Sequence, residues 1–140
     1  MNTIKSLTWP ALYIGLPWEA GGQGPHAFDC MGLFKHLQAS YFDVQVPSII
    51  APDYDDPQAL APLFKKHAEH ARWHRILAPE HGCAVIIHRP MHIGVWLDFD
   101  GGGVLHCMRG AGVVYTSQSA WILSGFGRCE YFRHVSKKPR

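Results

Sequence analysis

The apolar residues of this chain change period once, and that change limits what it can fold into. From Cys30 onward Met31, Phe34, Leu37 and Tyr41 recur at three- and four-residue intervals with Leu33 beside them, the stripe of a core helix. Later the pattern becomes short apolar runs, Ala84 to Ile87, Ile93 to Leu97, Val104 to Met108, Val113 to Thr116 and Glu130 to Phe132, separated mostly by glycine clusters. Helical signals first and strand signals later predict an α+β fold with helices packed on one antiparallel sheet. Ahead of the core helix, Thr8 and Pro10 can open a short helix that Gly15 stops, and a Gly/Pro-rich loop runs on to Pro25. Between the two halves Val46 to Tyr54 reads as extended. Asp55-Asp56-Pro57 then caps a second helical stretch, interrupted at Pro62 and ending near Trp73.

A chain of 140 residues forms one domain, residues 1–140, without repeats or linkers. It can bury roughly two-thirds of its unfolded surface, so it needs neither disulfides nor a metal to fold. The net charge is +2, and Lys65-Lys66 and Lys137-Lys138 are too short to track phosphates, which argues against nucleic acid as a partner. No segment approaches the ~20 apolar residues of a membrane span, and Met1 to Leu7 lack the apolar core of a signal peptide. The expectation is a protein made in the cytoplasm without a signal peptide and with no membrane insertion. Cysteines 30, 83, 107 and 129 form no CxxC pair, which weakens a zinc ribbon or a disulfide scaffold. Cys83, Cys107 and Cys129 read as small buried hydrophobes.

Cys30 differs because Asp29 precedes it as a helix cap, which places its thiol in the first turn of the core helix. The partial positive charge of a helix start favours thiolate, and a cysteine so placed beside an imidazolium can titrate below about 7.5. His92 and His106 stand on two strand-like runs that the Asp98 to Gly103 connection can join as a hairpin. If paired residues sum to an even number near 198 or 200, both histidines share a sheet face within contact range, whereas an odd sum puts the sheet between them. These parts suit a thiol hydrolase.

The segments Gly15-Leu16-Pro17-Trp18-Glu19-Ala20-Gly21-Gly22 and Phe28-Asp29-Cys30-Met31-Gly32-Leu33 resemble the nucleophile region of the NlpC-type cell-wall peptidases, a papain-like family. His92-Ile93-Gly94-Val95-Trp96-Leu97 and Leu105-His106-Cys107 are similar to its two histidine strands, in the same order. The matching segments reach from about residue 11 to about residue 134. The resemblance implies a papain-like NlpC fold with Cys30 as nucleophile, His92 as general base and acid, and His106 as the residue that orients His92. It implies hydrolysis of amide bonds in the peptide stems of peptidoglycan, commonly the bond between D-γ-glutamyl and the diamino acid, with no cofactor and no metal. Asp29, Trp18 and Met31 would line the substrate site.

Cellular members of that family usually carry tyrosine where Trp18 stands and serine where Met31 stands, so this chain lacks two polar groups that in those members help form the oxyanion site or hold the stem peptide's free amine. A large residue after the cysteine, the Pro17-Trp18 pair, the stretch from Leu105 to Val113 and the closing Tyr131 to His134 segment look more like single-domain phage-tail or prophage members. In that setting phage tail-tip proteins would be partners, with the virion tail or the cell wall as destination. Two rivals share these residues: a silent tail-tip adaptor, and a thiol acyltransferase or thioesterase on the same fold. His67, His70 and His74 have the spacing of a helix-face metal stripe, but the charged residues around them favour a solvated helix. Asp98-Phe99-Asp100-Gly101 opens like a calcium loop without the remaining ligands, so it reads as a hairpin turn.

Overall fold

The computed structural model describes residues 8–47, 72–88, 91–123 and 129–138, with the side chains at 88, 91, 92 and 122 left out of the description. Asp29 starts the first helix, α1 (Cys30–Tyr41): its backbone is extended, and its carboxylate accepts from the Gly32 N–H at 2.6 Å. The helix ends where Asp43 takes a left-handed conformation (φ 56°) and turns the Val44 N–H back onto the Gln38 carbonyl. Gln38 is buried, and its Nε2 donates to the Gly82 carbonyl at 2.9 Å, which ties this end of α1 to the loop ahead of residue 84. At the N-terminus Trp9–Leu12 forms a short 3-10 helix with Pro10 in its first turn. Trp9 stacks flat on Tyr41, centroids 3.8 Å apart, so this turn lies along α1.

The strands are β1 (Trp73–Ile76), β2 (Ala84–His88), β3 (Met91–Leu97), β4 (Gly103–Met108), β5 (Gly112–Ser117) and β6 (Cys129–His134), with a short helix α2 (Gln118–Leu123) after β5. They form one antiparallel sheet in the order β1-β6-β2-β3-β4-β5. The fold is therefore α+β, as the change of period predicts. The register between β3 and β4 pairs Gly94 with His106 and Val95 with Leu105, a sum of 200, which is the even case.

The sheet is covered on both faces over its central strands. Leu33, Phe34 and Leu37 of α1 join Ala84, Ile86, Ile93, Val95, Leu105 and Cys107 in one core. Val85, Ile87, Trp96 and Val104 form a second core on the opposite face, with Trp121 of α2 packed against it. That two-sided burial explains why these strands read as unbroken apolar runs and not as alternation. Among the described residues no helix is long and apolar enough to cross a membrane.

The helical stretch expected to end near Trp73 lies outside the described residues up to position 71, and the strand that begins at Trp73 was not expected: Trp73–Ile76 pairs with Tyr131–His134 and the buried Trp73 ring packs on Phe34. His74 is accordingly a strand residue, while His67, His70 and most of that stretch lie outside the described residues. The helix α2 was not foreseen.

Gly32 shows how closely the Gly-rich loop presses on α1. A Cβ at this position would collide with the Gly22 carbonyl, whose oxygen also accepts from the Asp29 N–H. Gly32→Ala should therefore lower stability by at least about 2 kcal/mol, seen as a lower urea midpoint at unchanged slope, whereas exposed Ser40→Ala should stay within about 0.5 kcal/mol. A gain in stability at position 32, of the kind Ala gives over Gly in an open helix, would show that the loop does not press on the helix.

Candidate active site

The first turn of α1 is a cluster of donors built around one carboxylate. Asp29 is 1 % exposed, and its oxygens accept from Gly32 N–H at 2.6 Å and Gly21 N–H at 3.1 Å. It thus caps the helix and holds the Gly-rich loop against it. The Asp29 carboxylate faces the protein's own backbone, which fits the cap reading better than direct contact with a substrate. Leu33 N–H bonds the Asp29 carbonyl, leaving Cys30 and Met31 as the first-turn N–H groups outside both the cap and the helix ladder. Both face the Cys30 sulfur.

A third N–H reaches that sulfur from the sheet, belonging to Ile93. Its direction follows from the ladder. Trp96 uses its N–H and carbonyl toward Cys83 and Gly82, on the β2 side, so by alternation the N–H of Ile93 points toward β4. The β3–β4 pairing runs from Leu97↔Gly103 to Gly94↔His106, so the Ile93 N–H that lowers the Cys30 pKa lies one residue beyond its last pair, next in sequence to His92.

The two histidines occupy the positions the register allows. Position 92 has the parity of 94 and 106, so it falls diagonal to His106, but the His92 side chain lies outside the described residues. His106 is fully buried, shares a 2.8 Å hydrogen bond with the Thr116 hydroxyl, and meets the Trp121 ring edge to face at 6.0 Å. Its neighbours Leu105 and Cys107 belong to the α1 core, and Cys107 Sγ donates to the Phe28 carbonyl at 3.2 Å. His106 thus sits on the face of the sheet away from the body of α1. The structure brings Cys30 to the β3 backbone next in sequence to position 92, and by strand alternation position 92 falls on the same sheet face as His106, away from the body of α1.

Burial governs the thiol. Cys30 is 7 % exposed, and desolvation pushes its pKa up to about 12, against the lowering effect of the Ile93, Met31 and Cys30 N–H groups and with the Asp29 carboxylate adding to the rise. The sequence expectation of a thiol titrating below about 7.5 counted the helix start and an imidazole but not the loss of water. Cys107 is raised to about 12 as well, by burial and then by the neighbouring Cys30 and Asp29. All four cysteines are free thiols.

Around this point stand the other residues expected at the site. Met31 is buried against the core, and Trp18 is half-buried, its backbone bridged to Phe28. Residues Glu19, Gly21, Gln23 and His26 line an open cavity of about 310 Å³ on the Gly-rich loop. A cavity of about 380 Å³, lined by Phe42, Glu80, His81 and Arg133, lies at the far end of α1, about 18 Å from Cys30 by the rise of the helix. Arg109, which sequence reasoning missed, stands over the Trp18 ring at 5.3 Å. Nothing in the linear sequence joins positions 18 and 109; only the hairpin packing does.

Compared with models of known protein families and with curated proteins, the chain matches none. The raised thiol yields a direct expectation. With the folded pKa near 12, the thiolate fraction of Cys30 grows with pH across the whole accessible range. Iodoacetamide should modify Cys30 at a rate that still climbs through pH 9, measured by peptide mass spectrometry. A plateau reached at pH 6 to 7 would mean that an imidazole outweighs burial.

Proposed function

We propose that this chain is a cysteine peptidase that hydrolyses amide bonds in peptidoglycan stem peptides, with an NlpC-type papain-like fold. The observation that carries the reading is Cys30 as the first residue of α1, with the Ile93 N–H, next in sequence to His92, favouring its thiolate. In this reading the Cys30 thiol loses its proton to the His92 imidazole as sulfur attacks the carbonyl carbon, since a thiol with so high a pKa needs a base at the moment of attack. The N–H groups of Cys30 and Met31 supply donors for the oxyanion of the tetrahedral intermediate. The imidazolium then protonates the leaving amine, and water hydrolyses the thioester with His92 again as base. His106 Nε2 and the Thr116 hydroxyl share their hydrogen bond in a direction set by the ring's tautomer; to orient His92 by accepting its N–H, His106 would donate from Nε2 to Thr116 and present an unprotonated Nδ1.

The similarity of Pro17-Trp18 and of the Leu105 to Val113 stretch to single-domain phage proteins supports a tail-associated or prophage-encoded enzyme. A second reading, a tail-tip structural protein without turnover, is favoured by the depth at which Cys30 is buried and by the strand alternation that puts positions 92 and 106 on the sheet face away from the body of α1.

Mass spectrometry of peptidoglycan fragments after incubation separates the two. Hydrolysis of stem amide bonds is expected, abolished by Cys30→Ala and by His92→Ala, with the double variant no worse than either because nucleophile and base act as a unit. His106→Ala should retain partial activity. Unchanged fragments with the parent protein would establish the silent reading. Without the polar groups that hold a free stem amine, intact sacculi should be cut faster than free tetrapeptide, since an ammonium buried without partners costs several kcal/mol. Faster cleavage of the free peptide would overturn that preference.

A further inference from the structure

Thr116 and His106 meet across two neighbouring strands. The β4–β5 register pairs His106 with Val114 and Val104 with Thr116, which sets Thr116 diagonal to His106 on one face of the sheet. The alternate positions Leu105, Cys107, Val113 and Tyr115 face the α1 core, so this pair belongs to the opposite face with Val104 and Trp121. There His106 Nε2 and the Thr116 hydroxyl oxygen lie 2.8 Å apart. Directly after Thr116 the chain leaves the sheet. The Gln118 N–H bonds the Gly102 carbonyl at 2.9 Å, and the Ser117 hydroxyl accepts from the Ala120 N–H at 3.2 Å, which starts α2 and brings Trp121 edge to face onto the His106 ring. One short stretch of chain therefore supplies both a hydrogen bond and a wall to an imidazole that is fully buried.

An imidazole can turn its ring over about the Cβ–Cγ bond, and the two orientations present different atoms to a neighbour. Only one puts Nε2 against the Thr116 hydroxyl; a half-turn puts a ring C–H there and forfeits the bond. Threonine suits this task, since its β-branch restricts χ1 and so fixes the direction of the hydroxyl. The two ring nitrogens diverge, so with Nε2 turned to β5 the Nδ1 is turned to the other side of β4, where β3 is the neighbouring strand. From this geometry we infer that Thr116 is a positioning residue for the proposed reaction: it acts through His106, by fixing the ring orientation that turns Nδ1 toward the strand carrying position 92. This rests on the peptidase reading, in which His106 orients His92, and adds to it the group that sets the orienting residue itself.

Two readouts on the full-length protein separate this role from a merely structural one. Imidazole nitrogen NMR spectra report the His106 ring, whose signals are those missing in His106→Ala. Thr116→Val keeps the side chain's shape and removes its hydroxyl, so it should shift the His106 Nε2 signal, whereas Thr116→Ser should leave that signal near its place in the parent. In hydrolysis of peptidoglycan fragments Thr116→Val should lower kcat about tenfold with KM nearly unchanged, and Thr116→Ser should retain most of kcat. Added to His106→Ala, Thr116→Val should cost little more than His106→Ala alone, because the hydroxyl acts only through that ring. An unchanged His106 signal in Thr116→Val, a shifted signal with kcat at the parent level, or an undiminished loss on top of His106→Ala would overturn the assignment. A shifted His106 signal that Thr116→Ser restores, in a parent protein that hydrolyses no stem peptide, would uphold Thr116 as the group that fixes the ring and overturn the peptidase reading alone.

Discussion

Everything at the candidate site depends on where the Asp29 carboxylate makes its hydrogen bonds. It is buried, and its donors come from Gly32 of the helix and Gly21 of the loop, so a single side chain starts α1 and fixes the loop against it. Charge-assisted bonds to backbone N–H groups are about twice as strong as neutral ones, and losing the carboxylate would strand the buried Gly32 N–H away from water. With the cap in place, Cys30 can occupy only the next position, facing the sheet. The absence of a side chain at Gly32 is what lets the loop come close enough for the second of those bonds.

Two physical effects compete over the Cys30 proton, and their relative size decides how the site can work. Three backbone N–H groups favour the thiolate, while loss of water disfavours it and is the larger influence. A resting thiolate of the papain kind does not fit that balance. A neutral thiol that is deprotonated only during attack does fit it, and the N–H groups beside the sulfur are then available where negative charge develops.

Much of this was legible in the sequence because it rests on local rules. The Asp29 cap and the stripe from Met31 to Leu37 carry α1, and the parity of residues 92 and 106 allowed the even register that the Gly94↔His106 pairing has. The strand at Trp73 was not legible, since four residues become a strand only by lying beside Tyr131 to His134. Nor was the state of the thiol, because burial depends on Ile93 and Cys107 arriving from distant strands. The side of the sheet that His106 occupies was beyond reach for the same reason: pairing parity relates His106 to position 92 but does not relate either to α1. Arg109 was invisible until a hairpin carried it to Trp18.

In the proposed peptidase reading the Cys30 sulfur forms a covalent bond to substrate. Acid quenching of the protein during turnover of a peptidoglycan peptide, followed by mass spectrometry of its fragments, reads this directly. An acyl adduct on the fragment containing Cys30, absent in Cys30→Ala, is the expected result. Product formation with no adduct on Cys30, or an adduct carried by Cys83, Cys107 or Cys129, would contradict it.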